Sequence, residues 1–201
     1  MEEKSSVREQ KKILARKKIL DAAADEFKFR GFMNTSVSDI MKKSGLGVGT
    51  FYNYFGSKEE VLMEIVKKLF AEVESELKFR RETNSSSLEL LEICCMRTAK
   101  LIDENRFILP LFVSAAAHSD KPEQLPENLS PTFKNIFERI ISIGRERKEI
   151  RSDIPAELIL EMFHSIYQAA SFSKSEIPFQ ENVRLKIKIL LDGIKFDGGK
   201  K

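Results

Sequence analysis

The residues best suited to recognition chemistry lie in one short stretch, Gly47-Val48-Gly49-Thr50-Phe51-Tyr52-Asn53-Tyr54. It carries the hydroxyls of Thr50, Tyr52 and Tyr54 and the carboxamide of Asn53. Hydroxyl and amide groups donate to phosphate oxygens, and an amide also reads a base edge. Gly47 and Gly49 keep the start of the stretch free of side chains, so that backbone can come close to a duplex. Lys58 opens the next predicted helix, where a cation and free backbone N–H groups together suit a phosphate. Ser36 and Ser38, at the start of an earlier predicted helix, add two more hydroxyls. A second set, Cys94, Cys95, His118 and His164, would do thiol or metal chemistry instead. Its spacings are irregular, with no zinc-type pairing and no Glu-x-x-His. Adjacent cysteines on a helix point apart and cannot close an ordinary disulfide. They read as small core residues in a reducing compartment. No catalytic residue, metal or cofactor is expected. A thiol-based redox-sensing regulator is the first alternative, and a helical-bundle enzyme the second.

The elements that must position these groups are helices. Ile19, Ala23 and Phe27 recur every four residues and predict a helix from about Arg8 to Arg30, stopped by Gly31. Ser36 with Asp39 forms a capping box for a short helix whose inner face is Val37, Ile40 and Met41. Gly45, Gly47 and Gly49 then break the chain before a second short helix, about Val48 to Phe55, with Val48, Phe51 and Phe55 inward. Gly56 ends it, and Ser57 caps a longer helix over about 58–81. Ser86 with Glu89 opens a helix to about Glu104, and further helices are expected over about 107–118, from Ser130-Pro131 to about Lys148, from Pro155 to about Phe172, and over about 180–195. No segment alternates with period two, so the fold class is all-α. Residues 8–56 are expected to form a three-helix, helix-turn-helix DNA-binding domain, with its motif at about 35–54, and 57–201 a second, helical domain.

Composition agrees. The chain of 201 residues is 42% hydrophobic and 32% charged, enough for one or two compact domains. Its net charge of +3 arises wholly within residues 1–60, which hold 12 Lys and Arg against 9 Asp and Glu. The basic run Lys11-Lys12 and Arg16-Lys17-Lys18 reads as a solvated helix face. The charged stretch Met1 to Lys18 contains no apolar signal core, and no apolar run reaches membrane-spanning length. A cytoplasmic location and no membrane partner are expected, so the Asn-x-Ser triplets at Asn84 and Asn128 carry no meaning as glycosylation sites.

From Ile19 to Leu62 the sequence resembles the tetracycline-repressor (TetR) family. The resemblance rests on Ile19-Leu20-Asp21-Ala22-Ala23, Phe27, Gly31-Phe32, Thr35 to Ile40, Ser44 to Phe55 and Ser57 to Leu62, in that order and spacing. It implies a homodimer whose N-terminal helices each bind half of a near-palindromic double-stranded DNA operator. It implies further that 57–201 is a ligand-binding and dimerisation domain, and that a small-molecule effector bound there alters the spacing of the reading heads, usually releasing DNA. By motif position, Thr50, Tyr52 and Lys58 are candidates for phosphate contacts, with Ser36 and Ser38 beside them. Val48, Asn53 and Tyr54 are candidates for base contacts. The long polar or basic residue common near Gly47 or Ser38 is absent here, which shifts weight to backbone contact, thymine methyls and DNA shape.

The C-terminal helices carry surplus apolar surface. The helix from Pro155 shows Leu158, Ile159, Met162, Phe163, Ile166, Tyr167 and Ala170 over a wide face, more than one stripe requires. The candidate dimer interface is Ile159, Phe163, Ile166, Val183, Ile187, Leu190, Leu191 and Ile194. Candidate ligand-binding residues are Met96, Phe107, Leu111, Phe112, His118, Phe137, Phe163 and Tyr167, and their richness in Phe suggests an apolar or aromatic effector.

Overall fold

The computed structural model describes residues 2–82, 85–109 and 130–196, and among them the regular elements are helices. In chain order they are α1 (Glu2–Arg30), α2 (Val37–Ser44), α3 (Val48–Phe51), α4 (Lys58–Glu82), α5 (Ser87–Glu104), a 3-10 turn (Arg106–Ile108), α6 (Ser130–Glu146), α7 (Ala156–Ser171) and α8 (Phe179–Ile194). The fold class is all-α, as expected. Packing divides the chain inside α4 rather than ahead of it. The N-terminal unit ends at Lys68 and the C-terminal unit begins at Leu69. Of the helix expected over 107–118, only the opening 3-10 turn and Leu109 fall among the described residues; Leu111, Phe112 and His118 lie outside them.

In the N-terminal unit, α1 supplies Ile19, Ala23 and Phe27, all buried, as its stripe predicts. Gly31 adopts φ 79° and its N–H donates to the Phe27 carbonyl at 3.0 Å, so the chain turns where a left-handed residue is needed. The α2 capping box forms in full: the Ser36 hydroxyl accepts from Asp39 N at 3.1 Å and Ser36 N donates to Asp39 Oδ2 at 3.0 Å. Those bonds, with help from Arg30, hold the Asp39 carboxyl below the usual carboxylate range. Gly45, at φ 71°, closes α2 at its other end.

Helix α3 is only four residues long, shorter than expected. After Phe51 the chain continues as tight turns, with Tyr54 N donating to Phe51 O at 2.9 Å and Phe55 N at 3.0 Å. A helix this short has no independent stability, since isolated helices below about 12–15 residues are marginal. Its anchors are Phe51 and Phe55, both buried, with ring centroids 5.8 Å apart. Each such burial is worth roughly 1.5–3 kcal/mol. Arg16 of α1 lies over the Phe55 ring at 4.9 Å and ion-pairs with Glu64 of α4, tying three segments together.

The C-terminal unit is a bundle in which α5 packs against α6 and α8, and α7 against α6 and α8. Its centre holds Leu91, Cys94, Cys95, Phe137, Ile141, Phe163, Tyr167, Val183 and Ile187, all buried. Tyr167 satisfies its hydroxyl by donating to the Cys95 carbonyl at 3.1 Å. The α8 end is stapled to the loop before α7: Arg151 N donates to Ile194 O and Phe196 N to Glu149 O, each at 3.0 Å. No helix among the described residues is long and apolar enough to cross a membrane.

Candidate nucleic-acid interface

Helix α3 turns Phe51 inward and leaves Val48 and Gly49 open to solvent. Val48 is 47% exposed and Tyr52 65% exposed. Asn53 is exposed too, while Thr50 and Tyr54 are half-buried. Val48 was expected to face inward. It does not, because the four-residue helix has room for one buried anchor per turn and Phe51 takes it. Tyr52 packs its ring edge-on against Phe51, centroids 5.3 Å apart, which fixes its direction while leaving the ring in solvent. On α2, Ser38 is exposed. Ser36 is exposed as a residue, but its hydroxyl also donates to Asp39 Oδ2 at 2.5 Å, so it is spent inside the cap.

The glycines distinguish themselves by what they do not need. Gly47 has φ −69°, and Gly31 and Gly45 are the described glycines with positive φ. A Cβ added at Gly49 would meet nothing within 4 Å, and one at Gly47 only the Thr50 hydroxyl at 3.9 Å. Neither backbone conformation nor internal packing therefore calls for glycine at either position. A bare backbone here suits close approach by something outside the chain. Gly49→Ala is expected to raise thermal stability slightly, by roughly 0.5 kcal/mol, while weakening operator binding. Unchanged or tighter DNA binding in a titration would remove the close-approach reading.

Lys58 occupies a different setting from the one its sequence position suggests. Its ammonium donates to the carbonyls of Phe32 at 2.9 Å and Thr35 at 2.8 Å, and sits 4.4 Å from the centroid of the Phe32 ring. It bridges the two ends of the turn between α1 and α2. A phosphate could use only its third donor. Of the basic run in α1, Lys11, Lys12, Lys17 and Lys18 are exposed, and Arg16 is half-buried in its pair with Glu64.

Residues 19–65 match the family model of the bacterial regulatory proteins, tetR family. The chain belongs to the TetR family. The HTH-type transcriptional regulator YdgC of Bacillus subtilis, itself uncharacterised, is 26% identical over 165 residues, covering 79% of this chain and 82% of the relative. The repressor KstR2 of Rhodococcus jostii is 26% identical over 145 residues, 71% of each chain. In fold, the protein is similar to FadR of Bacillus subtilis in complex with stearoyl-CoA, with a TM-score of 0.69 at 18% identity over 88% of this chain and 98% of that one. It is equally similar to FadR of Thermus thermophilus in complex with lauroyl-CoA, with a TM-score of 0.69 at 20% identity over 92% and 98%. As a TetR-family transcriptional regulator the chain is a DNA-binding protein, and α2 and α3 are its helix-turn-helix.

The other candidate residues fall into two groups. Phe107, Phe137, Phe163 and Tyr167 are buried, and Met96 is half-buried. Phe137 and Phe163 pack directly, centroids 5.1 Å apart. On the outer side of α7 and α8 an apolar groove of about 600 Å³ is lined by Leu158, Met162, Ile189 and Leu190, among others. Of the candidate interface residues, Ile159, Ile166, Leu190 and Ile194 line this groove. Phe163, Val183 and Ile187 point the other way, into their own unit, at 0%, 0% and 1% exposure, and Leu191 is half-buried outside the groove lining. The exposed large apolar members are Leu158 at 48%, Met162 at 49% and Ile189 at 74%. Ile189 was missed. Its signal was an isoleucine between Lys188 and Leu190 lying off the Val183, Ile187, Ile194 stripe.

Cys94 and Cys95 are both buried, and burial pushes both thiols up from their ordinary value. They stay protonated through neutral and mildly alkaline pH, where a redox sensor needs thiolate. In native protein at pH 8 neither is expected to react with a thiol reagent over minutes, whereas both should react at once in denaturant. Rapid native labelling would revive the redox-sensing alternative. Among the described residues no three His, Cys, Asp or Glu side chains gather as a metal site would require.

Proposed function

We propose that the protein is a cytoplasmic homodimeric repressor, not an enzyme, that releases a near-palindromic operator when its C-terminal unit binds a small, largely apolar effector. The observation that carries the DNA half of this reading is the exposed surface of α3 and the turn after it, where Val48, Tyr52 and Asn53 stand beside two glycines that the fold itself does not require. Tyr52, Thr50 and Ser38 meet phosphates. Val48, Asn53 and Tyr54 meet base edges, and the backbone at Gly47 and Gly49 lies against the duplex. Lys58 acts chiefly by holding the turn that presents α2. The dimer forms through the outer groove of α7 and α8, whose exposed Leu158, Met162 and Ile189 would otherwise face water. The effector half is supported by relatives of the same fold solved with acyl-CoA ligands.

Selection of binding sites from random duplex DNA at near-physiological salt tests this reading. The expected product is a near-palindrome whose half-sites are about one helical turn apart or slightly more. Failure to enrich any sequence, repeated after refolding to strip bound small molecules, would overturn it.

A further inference from the structure

A cleft of about 290 Å³ opens among α4, α5 and α6 of the C-terminal unit. Its walls are aliphatic, with Leu77, Leu90, Ile136 and Ile140 among them, and no aromatic side chain contributes. Three features make it more than a packing gap. First, Ser87 lines it, fully buried, and its hydroxyl has no hydrogen-bond partner among the described residues. A buried hydroxyl without a partner is costly to keep. Second, the fold demands only that this residue be small. A Cβ built at Gly144 would lie 2.8 Å from the Ser87 Cβ, so the two segments touch there. Alanine would meet that demand as well as serine. Third, the exposed Lys78 and Arg139 line the cleft and form no ion pair among the described residues, while Glu74 is the single acid in the lining.

We propose that this cleft binds an aliphatic carboxylate of medium chain length. The chain lies on the leucine and isoleucine walls, the carboxylate meets Arg139 and Lys78, and the Ser87 hydroxyl donates to a carboxylate oxygen. The aliphatic lining selects against planar aromatic acids, and the excess of cations selects against amines. The volume lies at the low end for small-molecule sites, about 300–1,000 Å³, which suits a free acid rather than a large conjugate. Its regulatory meaning rests on the effector reading above, but binding itself is measured with no DNA present.

The test is isothermal titration calorimetry of the full chain with sodium octanoate and, separately, octylammonium chloride. Octanoate is expected to bind saturably with one site per chain, and octylammonium not at all. Arg139→Gln and Ser87→Ala should each weaken octanoate binding by about 10-fold. Lys134→Gln, elsewhere on α6, should leave it unchanged. Ligand-free Ser87→Ala should melt no lower than the parent, because its hydroxyl has no partner among the described residues to lose. Absence of saturable octanoate binding would overturn the proposal, as would an affinity that Arg139→Gln and Ser87→Ala leave intact. A Ser87→Ala protein melting several degrees lower would overturn it too, by showing that the hydroxyl already serves the fold.

Discussion

Ile189→Glu is expected to convert the protein into a folded monomer that binds its operator about 10²- to 10³-fold more weakly. The expectation combines two magnitudes. In a dimer formed through the α7–α8 groove, a carboxylate at position 189 would be buried in apolar surroundings in both copies at once. Leaving an ion in such a place costs several kcal/mol per group, enough to dissociate an interface of ordinary size. Losing the dimer then loses the effective concentration that tethers the second reading head once the first has bound. That tethering is commonly worth 10²–10⁴ in affinity. Sedimentation should show a species near 23.1 kDa, the mass of one chain. The monomer should keep its helical signal, since Ile189 is 74% exposed and touches little of its own core. Ile187→Glu makes the useful contrast. At 1% exposure that residue belongs to the core of its own unit, and its replacement should unfold the C-terminal unit rather than merely separate the copies. A variant at Ile189 that still sediments as a dimer would move the interface to another surface.

Lys58→Ala should behave as a structural lesion first and a DNA-binding lesion second. The ammonium makes two charge-assisted hydrogen bonds to backbone carbonyls and a cation–π contact with Phe32. Bonds of that kind contribute about 1.5–3 kcal/mol each when partly buried, but water reaches the emptied carbonyls at this half-exposed site. A net loss of roughly 2 kcal/mol from the N-terminal unit is the reasonable expectation. Operator binding should fall with it, because the turn that carries Ser36 and the start of α2 is no longer pinned. The salt dependence separates this from a plain phosphate contact. Removing one phosphate contact lowers the slope of log K against log salt by about 0.9, whereas loosening the head lowers affinity with little change in slope. Full thermal stability together with a reduced slope would return Lys58 to the role its sequence position suggested.

Much of this molecule was legible before its coordinates, and the exceptions share a physical cause. The stripe Ile19, Ala23, Phe27, the capping boxes at Ser36 and Ser86, and the stop at Gly31 all became what their residue types imply. Each is a local rule, decided within one or two turns of chain. The misreadings concern relations that local rules do not contain. Phe51 and Phe55 stand four apart as a helix would place them, yet the backbone between them closes as tight turns while both rings still reach the core. Lys58 reads as a free cation at a helix start, but the acceptors it uses are Phe32 and Thr35, far back in sequence. The apolar positions of α7 and α8 exceed what one buried stripe requires. Whether the burial is against the same chain or a second copy is decided by direction around the helix axis, because leucine and isoleucine serve both equally.

The burial of Cys94 and Cys95 also leaves the molecule chemically quiet to probes. These are its two cysteines, and it has no tryptophan. A cysteine placed at the exposed Asp21 of α1 would therefore be the one position a maleimide dye reaches in the native protein. In a homodimer that gives one fluorophore per reading head, and energy transfer between the two would report their separation directly as DNA or a candidate effector is added. A tryptophan introduced beside the octanoate cleft would likewise be the sole indole emitter. The protein comes as a blank background on which a single reporter, placed by design, can be read without subtraction.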